Sequence, residues 1–398
     1  MSKHVFVGFG FGPIQSGLFV SEAFKSGNFS RIVIAEIDQK FVDAVRANNG
    51  SYFVNIASNN GISADKIDGI EMLNPTVEAD RDELLNALSQ ATEIVTSLPS
   101  VNFYDMGKDS VASLIAKGLK NSIAPGTVIY TAENNNHAAE ILEEKVGTFK
   151  NVQFLNTVIG KMSQVLNDKN EISEKQLKTI APGFNRAFLV EEFNRILVTK
   201  CTILSFKPGI KVFLEKEDLM PFEEAKLFGH NATHALLAYI GAAKGYTKMA
   251  ELKDDAGLMR IAGDAFINES GAALIKKYAD LNDELFTKSG YKAYAEDLLE
   301  RMTNPYLSDP IERAARDPQR KLSPNDRIFG TMQLALEYGI EPVNMAKGAA
   351  AGIKYLAKTE GKSTDAQSLK VILADIWQKS ESKFKSKIIK LTENQLNF

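Results

Sequence analysis

The chain has 398 residues, 44% of them hydrophobic and 24% charged, with a formal net charge of −3 at pH 7. That length exceeds one compact core and points to about two domains, and the near-neutral balance gives no electrostatic basis for general nucleic-acid binding. The single cysteine, Cys201, excludes an internal disulfide and a Cys-rich zinc knuckle, and it is expected as a buried structural thiol.

The amino terminus runs straight into a glycine-rich apolar segment, without the basic start or cleavage site of a signal peptide. The longest apolar stretch, near residues 235–243, falls short of the about 18 residues that a membrane span needs. A cytoplasmic protein with no membrane and no nucleic-acid partner is expected.

Residues 4–9 form an apolar β run, followed by glycines and a helical pattern over 14–24. A second strand is predicted over 31–36, a helix over 41–47, and short buried strands over 94–98, 128–131 and 152–155, with helical spacing at 112–119 and 138–146. Strands alternating with helices imply an α/β fold with a Rossmann-type, doubly wound parallel sheet. After a β-branched and aromatic run at 187–198 the chain becomes mostly helical, with apolar periodicity over 223–242, 257–266, 272–279, 293–302, 328–338 and 365–378. A dinucleotide-binding domain is therefore expected over 1–200, and a mostly α-helical substrate and catalytic domain over 201–398. The segment 379–390 is basic through Lys383, Lys385, Lys387 and Lys390 and reads as a solvated helix face.

The segment Gly8-Phe9-Gly10-Phe11-Gly12-Pro13-Ile14-Gln15 lies between the first strand and the first helix. Glycines there let the backbone approach a pyrophosphate, and the helix amino terminus offers unpaired N–H groups. Gly10, Gly12, Pro13 and Ile14 are the candidate cofactor contacts, although Gln15 stands where the fingerprint has its third glycine. Glu36 ends the second strand about 20 residues on, where a carboxylate binds the ribose 2′-OH and repels a 2′-phosphate; with Asp38 beside it, this favours NAD.

Lys226, His230, Asn231 and His234 fall within about 140° of arc on an α-helix. Alcohol oxidation needs a base, which a partly desolvated lysine supplies, and an amide that stabilises the developing alkoxide. Three other readings compete. One is an amphipathic helix with a solvated lysine. Another is a metal pair at His230 and His234, disfavoured because Asn231 rather than glutamate follows His230. The last is a Tyr-x-x-x-Lys dyad at Tyr104 and Lys108. No metal is expected.

Lys226-x4-Asn231-x2-His234 resembles the signature of the long-chain, metal-independent polyol dehydrogenases. Phe154-Leu-Asn156 is similar to that family's Phe-x-Asn segment, and Ala132-Glu133-Asn134 to its turn on the nicotinamide side. Asn304-Pro-Tyr-Leu, Glu312-Arg313 and Arg320-Lys321-Leu-Ser-x-x-Asp326-Arg327 resemble the branch that acts on phosphate esters.

The resemblance implies Lys226 as general acid/base, Asn156 and Asn231 as holders of the reacting oxygen, His234 as the residue orienting substrate, and Glu133 and Asn134 beside the cofactor. It implies hydride exchange between NAD and a polyol phosphate, with mannitol 1-phosphate and fructose 6-phosphate as the pair, in a monomer. Arg316, Arg320, Lys321 and Arg327 suit a phosphate ester because a dianion needs several cationic donors; a structural ion-pair network with Asp309, Glu312, Asp317 and Asp326 is the bland alternative. Ser16 and Gly160-Lys161 depart from the family pattern. A hexuronate reductase, a free-polyol dehydrogenase and a non-enzymatic dinucleotide sensor remain alternatives.

Overall fold

The computed structural model of the chain describes residues 4–204, 206–307 and 309–396. It divides into two compact units, Met1–Met220 and Pro221–Phe398. The division falls later than the expected boundary at 200, and strand pairing gives the reason. Phe213–Lys216 pairs in parallel with Ile196–Thr199 and so belongs to the first unit.

That unit begins with β1 (His4–Phe9), β2 (Phe29–Ala35), β3 (Tyr52–Ser58), β4 (Gly61–Ile67), β5 (Ile70–Leu73) and β6 (Glu93–Thr96). It continues with β7 (Thr127–Thr131), β8 (Val152–Ile159), β9 (Ser163–Leu166), β10 (Ala187–Glu191), β11 (Ile196–Thr199) and β12 (Phe213–Lys216). An eight-stranded sheet has the order β12-β11-β8-β7-β6-β1-β2-β5. From β5 to β8 every pairing is parallel, and this part has the strand order of a doubly wound dinucleotide-binding fold. β11 joins β8 antiparallel, so the sheet is mixed at that edge rather than parallel throughout.

The apolar runs of these strands follow from burial on both faces. In β1, Phe6 packs with Ile32, Ile34 and Val95 on one face, while Val7 and Phe9 pack with Val33, Ile94 and Ile129 on the other. A four-stranded sheet, β4-β3-β10-β9, adds Tyr52, Val54, Phe188 and Val190 to the first of these clusters. This second sheet was not anticipated. The run at 187–198 is two strands, β10 in the small sheet and β11 in the large one.

The second unit is mostly helical. Helix Val343–Thr359 packs closely on Ala232–Ala243 because Gly348 and Gly352 present no side chain to it. A β-carbon at those positions would stand 2.8 Å from Leu236 Cγ and 2.9 Å from Tyr239 Cδ2. Three stretches are wound as π-helix: Gln15–Val20 after the glycine turn, Ala225–Asn231 leading into Ala232–Ala243, and Asp264–Gly271. Such i→i+5 turns are rare and concentrate at functional sites. Among the described residues, no helix is long and apolar enough to cross a membrane.

Candidate active site

In the first unit a cleft of about 570 Å³ opens where the chain leaves β1 and β6, the strands between which the sheet order reverses. Gly10, Gly12, Pro13, Ile14 and Glu36 all line it, and Phe103 and Met106 add apolar surface. Gly10 has φ +84°, and a β-carbon there would stand 2.8 Å from Ser97 O, so the turn requires glycine. At Gly12 a β-carbon would meet nothing within 4 Å, which leaves this stretch of backbone approachable. The Glu36 carboxylate accepts the N–H groups of Phe11 and Asp38, each at 2.9 Å, and so pins the glycine turn to the end of β2.

Gln15 is fully buried, and its amide occupies the space a β-carbon on Gly8 would need. The strand-side glycine thus provides the room that the third fingerprint glycine gives on the helix side. Ser16, also buried, is used internally: its hydroxyl donates to Gly12 O at 2.9 Å, and its carbonyl accepts the Tyr52 hydroxyl at 2.7 Å.

Glu133 and Asn134 sit differently from expectation. Neither lines the cleft. Asn134 is exposed. The Glu133 carboxylate is buried, accepting Leu98 N–H at 2.8 Å, the Thr96 hydroxyl at 2.9 Å and the Tyr104 hydroxyl. Burial pushes its pKa up, against the pull of those donors. Glu133 therefore holds the turn after β6 that forms one wall of the cleft. The same bond places the Tyr104 hydroxyl inside this network, while Lys108 is exposed, so the two do not make a surface dyad.

Asn156, on β8, has a defined amide orientation. Its Oδ1 accepts Ala139 N–H at 2.9 Å, and its Nδ2 donates to Glu140 at 2.8 Å. An amide nitrogen carries a second N–H.

The second unit carries Lys226, Asn231 and His234 on one continuous helix. Read as an α-helix, Lys226 and Asn231 would mark the two edges of a broad arc. The π winding of Ala225–Asn231 removes that separation, because residues five apart stand on successive turns of the same side. Thr331 braces the stretch, with its hydroxyl 3.0 Å from Phe228 O and 2.5 Å from Arg327 O.

Lys226 is half-buried. Burial pushes its amine pKa below the usual lysine range, Glu223 opposes this, and Arg327 adds to it. His230 is buried, and its pKa is held well below the usual value, first by burial and then by His234 and nearby cations. It is therefore a neutral ring, 6.4 Å from that of His234. Among the described residues, no group of three or more His, Cys, Asp or Glu side chains is placed to hold a metal ion.

His234 Nε2 lies 3.5 Å from Asp309 Oδ2. Burial alone would raise the Asp309 carboxyl, but His234 and Arg313 outweigh it and hold the pKa below the usual range. Asp309 reads in the sequence as one acid among several near arginines, and nothing in its local pattern marks the histidine.

Lys321 is only 6% exposed and donates to Ala314 O at 2.5 Å. Its pKa is pushed down to about 8, by burial first and then by Arg327, Arg320 and Arg316. Arg320 pairs with Asp317 at 2.5 Å and Asp326 at 3.2 Å, and the buried Arg327 sits 2.7 Å from Asp326. Aspartates pair some of the charge in this region, and a desolvated amine lies in the field of three guanidinium groups. An added anion relieves that repulsion.

A Rossmann-type sheet with the glycine turn at its switch point, followed by a helical unit with the Lys-x4-Asn-x2-His pattern, defines a dehydrogenase of the polyol type. Residues 218–395 match the model of the mannitol dehydrogenase C-terminal domain, which places the second unit of the chain with that domain. It is 28% identical over 368 residues to the mannitol-1-phosphate 5-dehydrogenase of Buchnera aphidicola subsp. Acyrthosiphon pisum (strain APS), with 90% of this chain and 89% of the relative covered. The enzyme of the same name from strain 5A is 29% identical over 371 residues, at the same coverage.

Among solved structures, a substrate-free D-sorbitol dehydrogenase matches with TM-score 0.79 at 14% identity, covering 99% of this chain and 93% of that one. Pseudomonas fluorescens mannitol 2-dehydrogenase, solved with NAD and D-mannitol, matches with TM-score 0.68 at 15% identity, covering 99% and 91%. These two likenesses establish the fold.

Proposed function

We propose that the chain is an NAD-dependent dehydrogenase that interconverts a polyol phosphate and a ketose phosphate, with mannitol 1-phosphate and fructose 6-phosphate as the pair. The observation that carries this reading is a pair of desolvated lysines in one helical unit, Lys226 on the wide helical stretch and Lys321 amid arginines, both lowered by Arg327. The name of the Buchnera relatives supports the same substrate class.

The residues of the first unit fit a dinucleotide. Gly10, Gly12, Pro13 and Ile14 offer an open backbone at the start of a helix, and Glu36 retains acceptor capacity for a ribose hydroxyl because a carboxylate has about four lone-pair sites. Its charge, with that of Asp38, disfavours a 2′-phosphate and supports NAD. When bound there, NAD would supply the hydride acceptor for the carbinol carbon.

In this reading the neutral amine of Lys226 accepts the hydroxyl proton during oxidation, and its ammonium form returns that proton to the carbonyl oxygen during reduction. Asn231 donates an amide N–H to the same oxygen, and Asn156, in the first unit, has a second N–H that suits the same kind of role. His234, held by Asp309, orients the sugar chain. Arg320, Lys321, Arg316 and Arg327 hold the phosphoryl group, and no step requires a metal.

The test follows NADH absorbance with fructose 6-phosphate, free ketoses and hexuronates as substrates, beside Lys226→Ala. Fructose 6-phosphate is the expected substrate, and the variant keeps NADH binding while losing about 10²- to 10⁴-fold in turnover. Full turnover in Lys226→Ala removes the lysine from its role. A preference for unphosphorylated sugars removes the phosphate ester.

A further inference from the structure

Tyr239 lies on the helix that carries His234, and by sequence it belongs to the apolar side of that helix. It is fully buried, yet its hydroxyl has no hydrogen-bond partner among the described residues. A buried phenol normally finds a partner, and leaving one unpaired destabilises the folded state. A fold does not retain that cost without a reason, and Tyr239 is not loosely held. Its ring packs against the gap left by Gly352, where an added β-carbon would stand 2.9 Å from Tyr239 Cδ2 and 3.0 Å from Leu322 Cδ2.

Leu322 directly follows Lys321, whose amine is tied to Ala314 O. The tyrosine is therefore wedged beside the segment that carries the buried amine. The charges that act on its hydroxyl identify the same place. Burial raises the phenol pKa and Arg327 lowers it; Tyr355 and Asp317 raise it, and Arg320 lowers it. Arg327, Arg320 and Asp317 are also among the groups that act on Lys321. An unpaired O–H thus stands within the field of the cationic cluster assigned above to the phosphoryl group.

We infer that the Tyr239 hydroxyl is a phosphate-binding donor, which together with Lys321, Arg327 and Arg320 receives the phosphoryl oxygens of the substrate. The inference rests on the polyol-phosphate reading and adds to it a neutral donor that titrates with none of the surrounding cations. A phosphoryl group has more acceptor sites than the guanidinium groups can fill while they also pair with Asp317 and Asp326. A hydroxyl beside the cluster fills one of them without adding charge. An unphosphorylated sugar offers it only a neutral hydroxyl, a weaker acceptor than a phosphoryl oxygen.

The experiment measures binding of inorganic phosphate by calorimetry to the full chain, to Tyr239→Phe and to Tyr355→Phe. Thermal melts and steady-state kinetics with fructose 6-phosphate accompany each. Tyr355 packs on Tyr239 with ring centroids 5.6 Å apart, so its variant controls for disturbance of the aromatic pair.

Tyr239→Phe is expected to bind phosphate about 10- to 100-fold more weakly and to raise KM for fructose 6-phosphate by a similar factor, with little change in kcat. Its melting temperature stays level or rises, because the hydroxyl satisfies nothing in the free protein. Tyr355→Phe is expected to bind as the parent does. Unaltered phosphate affinity in Tyr239→Phe, against a parent that binds, overturns the inference and leaves the substrate reading standing. A fall in melting temperature with unaltered affinity also overturns it and makes the hydroxyl structural. A parent that neither binds phosphate nor prefers the phosphorylated ketose overturns both.

Discussion

The Gln15 amide fills the space that Gly8 leaves open on the neighbouring strand. The two residues form a complementary pair: a large buried side chain on the helix and none on the strand beneath it. Gln15 Nε2 reaches only Val95 O, at 3.5 Å, so steric fit rather than strong hydrogen bonding holds the arrangement. Gly8→Ala is therefore expected to destabilise the first unit by about 1–3 kcal/mol through overpacking, and to weaken NAD binding by tilting the helix that starts the cleft. Adding Gln15→Ala should restore part of both losses. Melts and NAD titrations of the two single variants and the double variant check this in a thermodynamic cycle; simple additivity would remove the claimed coupling.

Arg327 sets a second expectation, concerning Lys226, the proposed general base. Burial and the positive charge of Arg327 both lower the Lys226 pKa from 10.5. Oxidation needs the neutral amine, so kcat for the polyol rises with pH through that lowered pKa, with a midpoint below 10.5. Arg327→Gln removes one of the lowering charges and should shift the midpoint upward, while Arg327→Lys keeps the charge and most of the shift. The measurement is the pH profile of kcat at saturating substrate, which separates the effect from weakened phosphate binding. An unmoved midpoint in Arg327→Gln would dissociate the arginine from the base.

Glu93 makes stability depend on pH. Its carboxylate is buried at the start of β6, accepts Gly209 N–H at 2.5 Å, and has its pKa raised by burial to about 8. The folded state therefore holds a proton on Glu93 that the unfolded chain releases near 4.5. Between those two values the folded state binds more protons, so this group's contribution to stability falls as pH rises from about 4.5 to about 8. His4, 3.5 Å away, has a lowered pKa and acts in the opposite sense around 6.5. Comparison with Glu93→Gln isolates the carboxyl: the decline in melting temperature of the parent across that range should be shallower in the variant. Parallel curves would show that Glu93 is already ionised at low pH.

Much of the first unit is legible in the amino-acid sequence because its central strands are buried on both faces. Val5, Phe6 and Val7, or Ile32, Val33 and Ile34, leave no room for a polar alternation. The hairpin of β3 and β4 is less visible, since β4 mixes half-buried positions with the exposed Ser63, Ala64 and Lys66. Helix Val343–Thr359 is rich in alanine and glycine, and its buried large apolar residues, Met345, Ile353 and Leu356, are too sparse to mark a helical stripe.

Of the site, the glycine turn, Glu36 and the Lys226 signature were readable from spacing. The inward turn of Glu133 was not, because it depends on Tyr104 and Thr96 meeting it from other elements. The His234–Asp309 approach and the orphaned hydroxyl of Tyr239 were likewise hidden, being products of tertiary packing rather than local pattern.

The wide winding of Ala225–Asn231 has a consequence for how this helix tolerates change. A π stretch holds one residue more per turn than its surroundings, so it behaves like a single-residue insertion absorbed without breaking the rod. Rewinding the same residues at ordinary pitch, with none removed, would leave the extra residue unabsorbed and turn everything downstream by about 100°. His234 and Tyr239 would then rotate together away from their present neighbours, even though neither had been altered. Lys226 and Tyr239 are in this sense geared to each other, and their relative phase is stored in one loosely wound turn.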